Sequence, residues 1–154
     1  MDPVTSATTT EEVVVTGELV ATLLDTAGFV HPLFAATNPA RPLPGQGVLL
    51  LVGGMLERSG ALDHAIAMVG LDDVRFRTMV RADDRIRAAL QLRGARTTSG
   101  GSRIETFGCT VHNQLDQVVL DATVQMLVQP PETQHLDDQG GPSGAGPSTR
   151  EEQL

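Results

Sequence analysis

Residues 28–60 read GFVHPLFAATNPARPLPGQGVLLLVGGMLERSG, and the second half of that stretch decides the fold. A Pro44-Gly45 pair opens an apolar run, and Ser59-Gly60 closes it. Between them Val48, Leu49, Leu50, Leu51, Val52, Met55 and Leu56 cover nearly the whole circumference of a helix. Charge enters only at the end, with Glu57 and Arg58. A helix apolar all round has to be buried on every side. At roughly 14 residues and 1.5 Å each it is about 21 Å long, too short to cross a bilayer. Gly53-Gly54 within it costs about 1–2 kcal/mol relative to alanine, unless a neighbouring backbone must come close. The reading that satisfies these demands is a helix wrapped by a strongly curved sheet.

Upstream, residues 1–12 are polar without periodicity and read as a flexible N-terminus, although Val13-Val14-Val15 favours a short strand. Thr16 is placed to cap a helix, with Glu18 in its first turn and Leu19, Val20, Leu23 and Leu24 on one face. Asp25, Thr26 and Gly28 end it. Phe29 to Pro44 holds four prolines and reads as a loop.

Downstream the pattern turns to strands. Ala65–Val69 is short and apolar, and Val74–Val80 alternates, with Arg75 and Arg77 on one face. Arg85–Arg93 is ambiguous between helix and strand; its alternating arginines favour strand. Thr97–Gly101 is a turn. Ser102–His112 and Gln117–Val128 are long strands joined around Asn113-Gln114-Leu115-Asp116. Residues 130–154 are rich in Pro, Gly, Ser, Gln and acid, and are expected to be a disordered tail. The folded domain is therefore placed at 13–129.

Composition narrows the function. A chain of 154 residues makes one domain with a proper core. All 11 basic residues are Arg, Trp and Tyr are absent, and the net charge of −8 argues against non-specific nucleic-acid binding. The single cysteine, Cys109, has no internal disulfide partner, which suits a reducing cytoplasm. It reads as a small core residue rather than a nucleophile. No basic segment followed by an apolar one opens the chain, so no secretion signal and no membrane association are expected. Neither a metal nor a cofactor is called for.

Four motifs in order then carry a resemblance: Gly28-Phe-Val-His-Pro-Leu-Phe34, Gly45-Gln-Gly-Val48, Arg75-Phe-Arg-Thr-Met-Val-Arg-Ala-Asp83 and Asn113-Gln-Leu-Asp-Gln-Val118. With them, residues 13–128 resemble a MaoC-type hotdog domain, the family of (R)-specific enoyl-thioester hydratases and dehydratases. The resemblance implies an α+β fold, a curved antiparallel sheet around a long apolar helix, and a homodimer. It also implies an acyl-thioester substrate, with an acyl carrier protein as a possible partner.

The departures from that family matter as much. Its loop carries an Asp and a His that perform general acid–base chemistry. Aligned on Gly28 and Pro32, those positions hold Phe29 and Phe34, which carry no proton. His31 is either a hydrogen-bonded loop residue or a relocated base, and Asp25 has the wrong spacing to restore the dyad. The binding half of the motif remains. The resemblance implies that the Gly47 N–H, at the positive end of the helix dipole, faces the thioester carbonyl, with Gln46 as a second donor. The other reading is that Gly45 and Gly47 merely permit a tight turn. Phe29, Val30, Leu33, Phe34, Val48 and Leu51 would line an apolar pocket suited to a greasy chain.

Eight arginines, Arg75, Arg77, Arg81, Arg85, Arg87, Arg93, Arg96 and Arg103, lie in one 29-residue window opposed only by Asp83 and Asp84. They form either a surface for a carrier protein or its phosphopantetheine phosphate, or an ordinary solvated face. Three functions fit: a cyclase that folds a reactive polyene in an apolar pocket, a noncatalytic subunit of an acyl-thioester dehydratase, and a hydratase with relocated acid–base groups. The first is preferred, because both catalytic positions hold large aromatics in a chain with only four Phe residues.

Overall fold

The apolar residues on one face of the helix Gly45–Arg58 find their cover in a single sheet. A computed structural model describes residues 7–129; the expectations for residues 1–6 and 130–154 lie outside the described residues. In chain order the elements are β1 (Thr8–Thr9), β2 (Val13–Val14), α1 (Gly17–Ala27), a 3₁₀ turn (Pro32–Phe34), β3 (Pro42–Leu43) and α2 (Gly45–Arg58). Then follow β4 (Ala65–Phe76), β5 (Val80–Arg81), β6 (Arg85–Thr97), β7 (Arg103–Asn113) and β8 (Val118–Val128).

The main sheet is antiparallel in the order β1-β6-β7-β8-β4, and β2 also pairs with β6. Its register puts Leu90 opposite Cys109 and Cys109 opposite Ala122, with Val111 opposite Leu120 and Phe107 opposite Val124. These residues share the concave face, since side chains two apart on a strand point the same way. Against them pack Val48, Val52, Met55 and Leu56 of α2, all buried. This is the helix wrapped by a sheet that residues 44–60 demand.

One side of α2 stays open. Leu50 is 66% exposed, and Ile66, Met68 and Val69 of β4 are exposed as well. β4 is the last strand of its sheet, so one backbone edge of it has no strand partner among the described residues. A helix apolar all round is therefore covered by its own sheet on one face only.

α1 forms as its caps direct. The Thr16 side chain accepts a hydrogen bond from the Leu19 N–H at 3.1 Å, and Gly28 at φ 78° ends the helix with its N–H on the Leu24 carbonyl. Val20 and Leu24 are buried beneath it.

Three strand readings need correction. Val74–Val80 is not one strand: β4 runs unbroken from Ala65 to Phe76, and Val80–Arg81 belongs to a separate two-stranded ladder with Pro42–Leu43. Gly70 and Asp72-Asp73 do not interrupt β4 because they sit in register shifts, with Asp73 at φ 51°. Gln125 on β8 secures the bend by donating to Asp72 at 2.7 Å. The loop at 29–44 also contains the short strand β3. Near the N-terminus, Thr8 and Thr9 pair with Leu90 and Ala89 inside a stretch that composition reads as flexible. The buried Thr10 hydroxyl accepts from the Ala88 N–H at 3.0 Å.

The turn after β7 is built by Asn113. Its buried side-chain oxygen accepts from the N–H groups of Leu115 and Gln117 at 2.9 and 3.0 Å. Gln114 ties the same turn to the start of β6, accepting from the Arg85 N–H at 3.0 Å and donating to Asp84 at 2.8 Å. The Asn-Gln motif therefore shapes a turn.

Candidate functional site

The entrance to α2 gathers most of the residues singled out above. A cavity of about 500 Å³ opens there, lined by Leu33 and Phe34 of the 3₁₀ turn, Leu43 to Gln46 and Val48. Phe76, Arg77, Thr78, Met79, Val80 and Val119 complete it. The β3–β5 ladder makes this possible by drawing the loop before α2 against the segment after β4.

The loop that would carry an acid–base pair is aromatic. The rings of Phe29 and Phe34 meet edge to face at 4.9 Å between centroids. Phe34 lines the cavity, whereas Phe29 braces it from behind. His31 caps the 3₁₀ turn: its Nδ1 accepts from the Leu33 N–H at 3.1 Å, and its ring lies 6.4 Å from that of Phe34. Accepting that bond occupies the nitrogen lone pair that a base would use.

The glycines at the entrance do different work from that implied by the resemblance. The Gly47 N–H, expected to face a substrate carbonyl, is engaged by the Pro44 carbonyl at 2.8 Å. Gly47 is needed for packing, since a Cβ there would sit 2.8 Å from the Leu43 side chain. At Gly45 a Cβ would collide with the ring of Phe76, which lies across the helix start. Among the described residues, the Gly45 and Gln46 N–H groups keep no backbone partner, as the first donors of a helix do. Gln46 is exposed and lines the cavity.

Two expected lining residues lie elsewhere. Val30 is 92% exposed on the loop, outside the cavity wall. Leu51 is half-buried on α2 and does not border this cavity. Leu33 and Val48 do border it. Sequence reasoning missed Phe76 and Met79 as wall residues. The Arg75-Phe76 pair was in view, but its contact with Gly45 depends on a ladder of two residues per strand.

Among the described residues, the only ionisable side chain lining this cavity is Arg77, and it is bound to Asp121. The hydrogen bond from Arg77 holds the Asp121 carboxyl below its ordinary range, and the same bond raises Arg77. Four more arginines of the stripe are engaged in the same way. Arg87 pairs with Asp116, Arg85 with Glu12 at 3.4 Å, and Arg103 with Glu105 at 3.2 Å. Arg81 donates to the Ala40 carbonyl at 3.0 Å. These partners satisfy a solvated face from within the chain.

A second cavity of about 570 Å³ lies on the other side of α2, between the helix and β4. Leu49, Val52, Leu56, Ala67, Met68 and Ala122 are among its walls, and Cys109 is on its floor. Burial pushes the Cys109 thiol up to about 11, so at neutral pH it is a thiol and a poor nucleophile.

No family model and no curated protein matches this chain. Solved structures do. It is similar to a monoamine oxidase regulatory protein of Archaeoglobus, at 24% identity over 82% of this chain and 92% of that one, with a TM-score of 0.71. A MaoC-like dehydratase of Rhodospirillum rubrum matches at 15% identity over 82% and 94%, with a TM-score of 0.66. The C-terminally truncated HadBC complex of Mycobacterium tuberculosis, a (3R)-hydroxyacyl-ACP dehydratase, matches at 17% identity over 82% and 99%, with a TM-score of 0.64. The chain has the hotdog fold of these proteins.

Proposed function

We propose that this hotdog chain processes a hydrophobic polyketide or acyl chain at the α2 entrance by shape, as a cyclase that closes a ring in a folded polyene. One observation carries the reading. The entrance cavity is walled by Leu33, Phe34, Leu43, Val48 and Phe76, and its single charged side chain is already paired. Such a site holds an apolar chain and offers no proton donor or acceptor in the ionising range.

An intramolecular [4+2] cycloaddition suits it. Two carbon–carbon bonds form from the π electrons of a diene and an alkene within one molecule, and no atom is gained or lost. Orientation supplies most of the acceleration, and a hydrogen bond from Gln46 to a conjugated carbonyl adds polarisation. A linear polyene ester or thioester should therefore be cyclised at a rate nearly flat from about pH 5 to 9, the span in which a histidine base would titrate. Enoyl thioesters should not be hydrated above background. Gln46→Ala should slow ring closure by about 1–3 kcal/mol, roughly ten- to a hundredfold. If His31→Ala abolishes turnover with the fold intact, the reading fails and a relocated acid–base site replaces it.

A second reading, a noncatalytic subunit, draws on the open side of α2. Exposed Leu50, Ile66 and Met68 ask for cover, either by a second copy or by another hotdog chain. The HadBC match is itself a complex. Light scattering at micromolar concentration should give a mass near two chains; a mass of one chain that doubles only with an added hotdog partner favours the subunit reading.

A further inference from the structure

The far end of α2 holds a group of titratable side chains that the entrance chemistry does not use. His64, in the turn between α2 and β4, places Nε2 2.6 Å from Oε2 of Glu105 on β7. Glu105 is buried, and its other oxygen accepts from Arg103 at 3.2 Å. Burial alone would raise this carboxyl. The hydrogen bonds from His64 and Arg103, with their charges, outweigh it and hold Glu105 below its ordinary range.

An ionised carboxylate only accepts hydrogen bonds, so Nε2 of a neutral His64 carries the proton and Nδ1 keeps its lone pair. Among the described residues Nδ1 has no partner, and the His64 side chain is 47% exposed. The imidazole is thus oriented by a buried acid on one side and reachable on the other. Its chain neighbours Asp63 and Ala65 line the 570 Å³ cavity. So does Met126, which faces Glu105 across the sheet.

We propose that His64 and Glu105 form a general-base site that hydrolyses esters or thioesters whose apolar chain occupies the cavity between α2 and β4. His64 Nδ1 takes a proton from water, and the water oxygen bonds to the carbonyl carbon. The bond to the leaving oxygen or sulfur breaks, and the proton passes to that leaving group. Glu105 is a positioning residue that fixes the tautomer, and Arg103 holds Glu105 in place. The carboxylates of Glu57 and Asp63 at the cavity favour an uncharged ester over a free acid and repel the acid product.

The test uses the full chain with p-nitrophenyl acetate and octanoate, neither of which can undergo ring closure. Octanoate should be preferred, and its rate should rise with pH, since a general base works only in its unprotonated form. His64→Gln should lower it at least tenfold with an unchanged melting temperature. Glu105→Gln should lower it less and move the pH profile, which a merely structural carboxylate would not do. Ala67→Phe, which fills the cavity from β4, should erase the preference for octanoate over acetate. The proposal is overturned by an octanoate rate that His64→Gln leaves within twofold, by a pH-independent wild-type rate, or by equal rates for the two esters. The wild-type profile decides even where a variant fails to fold.

Discussion

α2 borders two cavities of nearly the same size, about 500 Å³ at its entrance and about 570 Å³ on the side that faces β4. Their chemistry is opposite. The entrance has Phe34, Phe76 and a paired arginine, and the imidazole close by serves as a turn cap. The far end has an imidazole held by a buried carboxylate, beside a wall of aliphatic side chains. Volume therefore says little about what either end does. What separates them is whether an ionisable group is held with its reactive atom uncommitted.

The largest effect should come from swapping the loss between the ends. Phe34→Ala should cut polyene cyclisation tenfold or more, because a loosened cavity forfeits its orientational advantage. His64→Gln should cut octanoate hydrolysis by a similar factor. Measuring both reactions in both variants tests the contrast: each variant should hurt its own reaction at least tenfold more than the other. Equal losses would mean that the two cavities act as one.

Next in size is the glycine pair on either side of the comparison. Gly47→Val forces a side chain against Leu43 and should cost about 1–3 kcal/mol by urea unfolding, as overpacking does. Gly53 borders the other cavity, and nothing lies within 4 Å of a Cβ built there. Gly53→Ala should instead stabilise the helix by about 0.5–1 kcal/mol. The two glycines are alike in the sequence and opposite in what surrounds them.

An intermediate effect falls on Glu105. Glu105→Gln should cost roughly 1 kcal/mol near neutrality, through the lost charge-assisted hydrogen bonds. Its carboxyl is held lower in the folded chain than in the unfolded one. The contribution is thus fully present above the unfolded value of about 4.3, and it is lost as pH falls through the folded one. Chemical denaturation from pH 7 to pH 3 should show wild type and variant converging below about pH 4. A gap that widens on acidification would contradict the assigned direction.

Much of this architecture was legible from residues alone. The bounds of α2 follow from Pro44-Gly45 and Ser59-Gly60, and those of α1 from Thr16 and Gly28, because caps and breakers act locally. β4 was split in two because its register shifts spoil the period-two alternation on which strand reading relies. β3 and β5 escaped notice since two residues have no period at all. The site divides similarly. Gly45, Gln46 and Phe34 stand out as motif positions, but the ring of Phe76 over Gly45 is a tertiary event. His64 and Glu105 are 41 residues apart, and no spacing rule connects them. Only the sheet register brings them together.

The open edge of β4 also bears on how the chain behaves in a crowded solution. A long unpaired strand with apolar side chains is a template on which other extended chains can add. Here the unbroken apolar run is confined to the first half of the strand. Ile66, Met68, Val69 and Leu71 occupy the first part, whereas Asp72, Asp73 and Arg75 follow at once, and the ladder to β8 shifts register between Met68 and Gly70 and again between Asp72 and Arg75. An incoming strand that slid past Leu71 would meet charge and a broken ladder. The same edge that asks for a partner thus limits an apolar overlap to its first half.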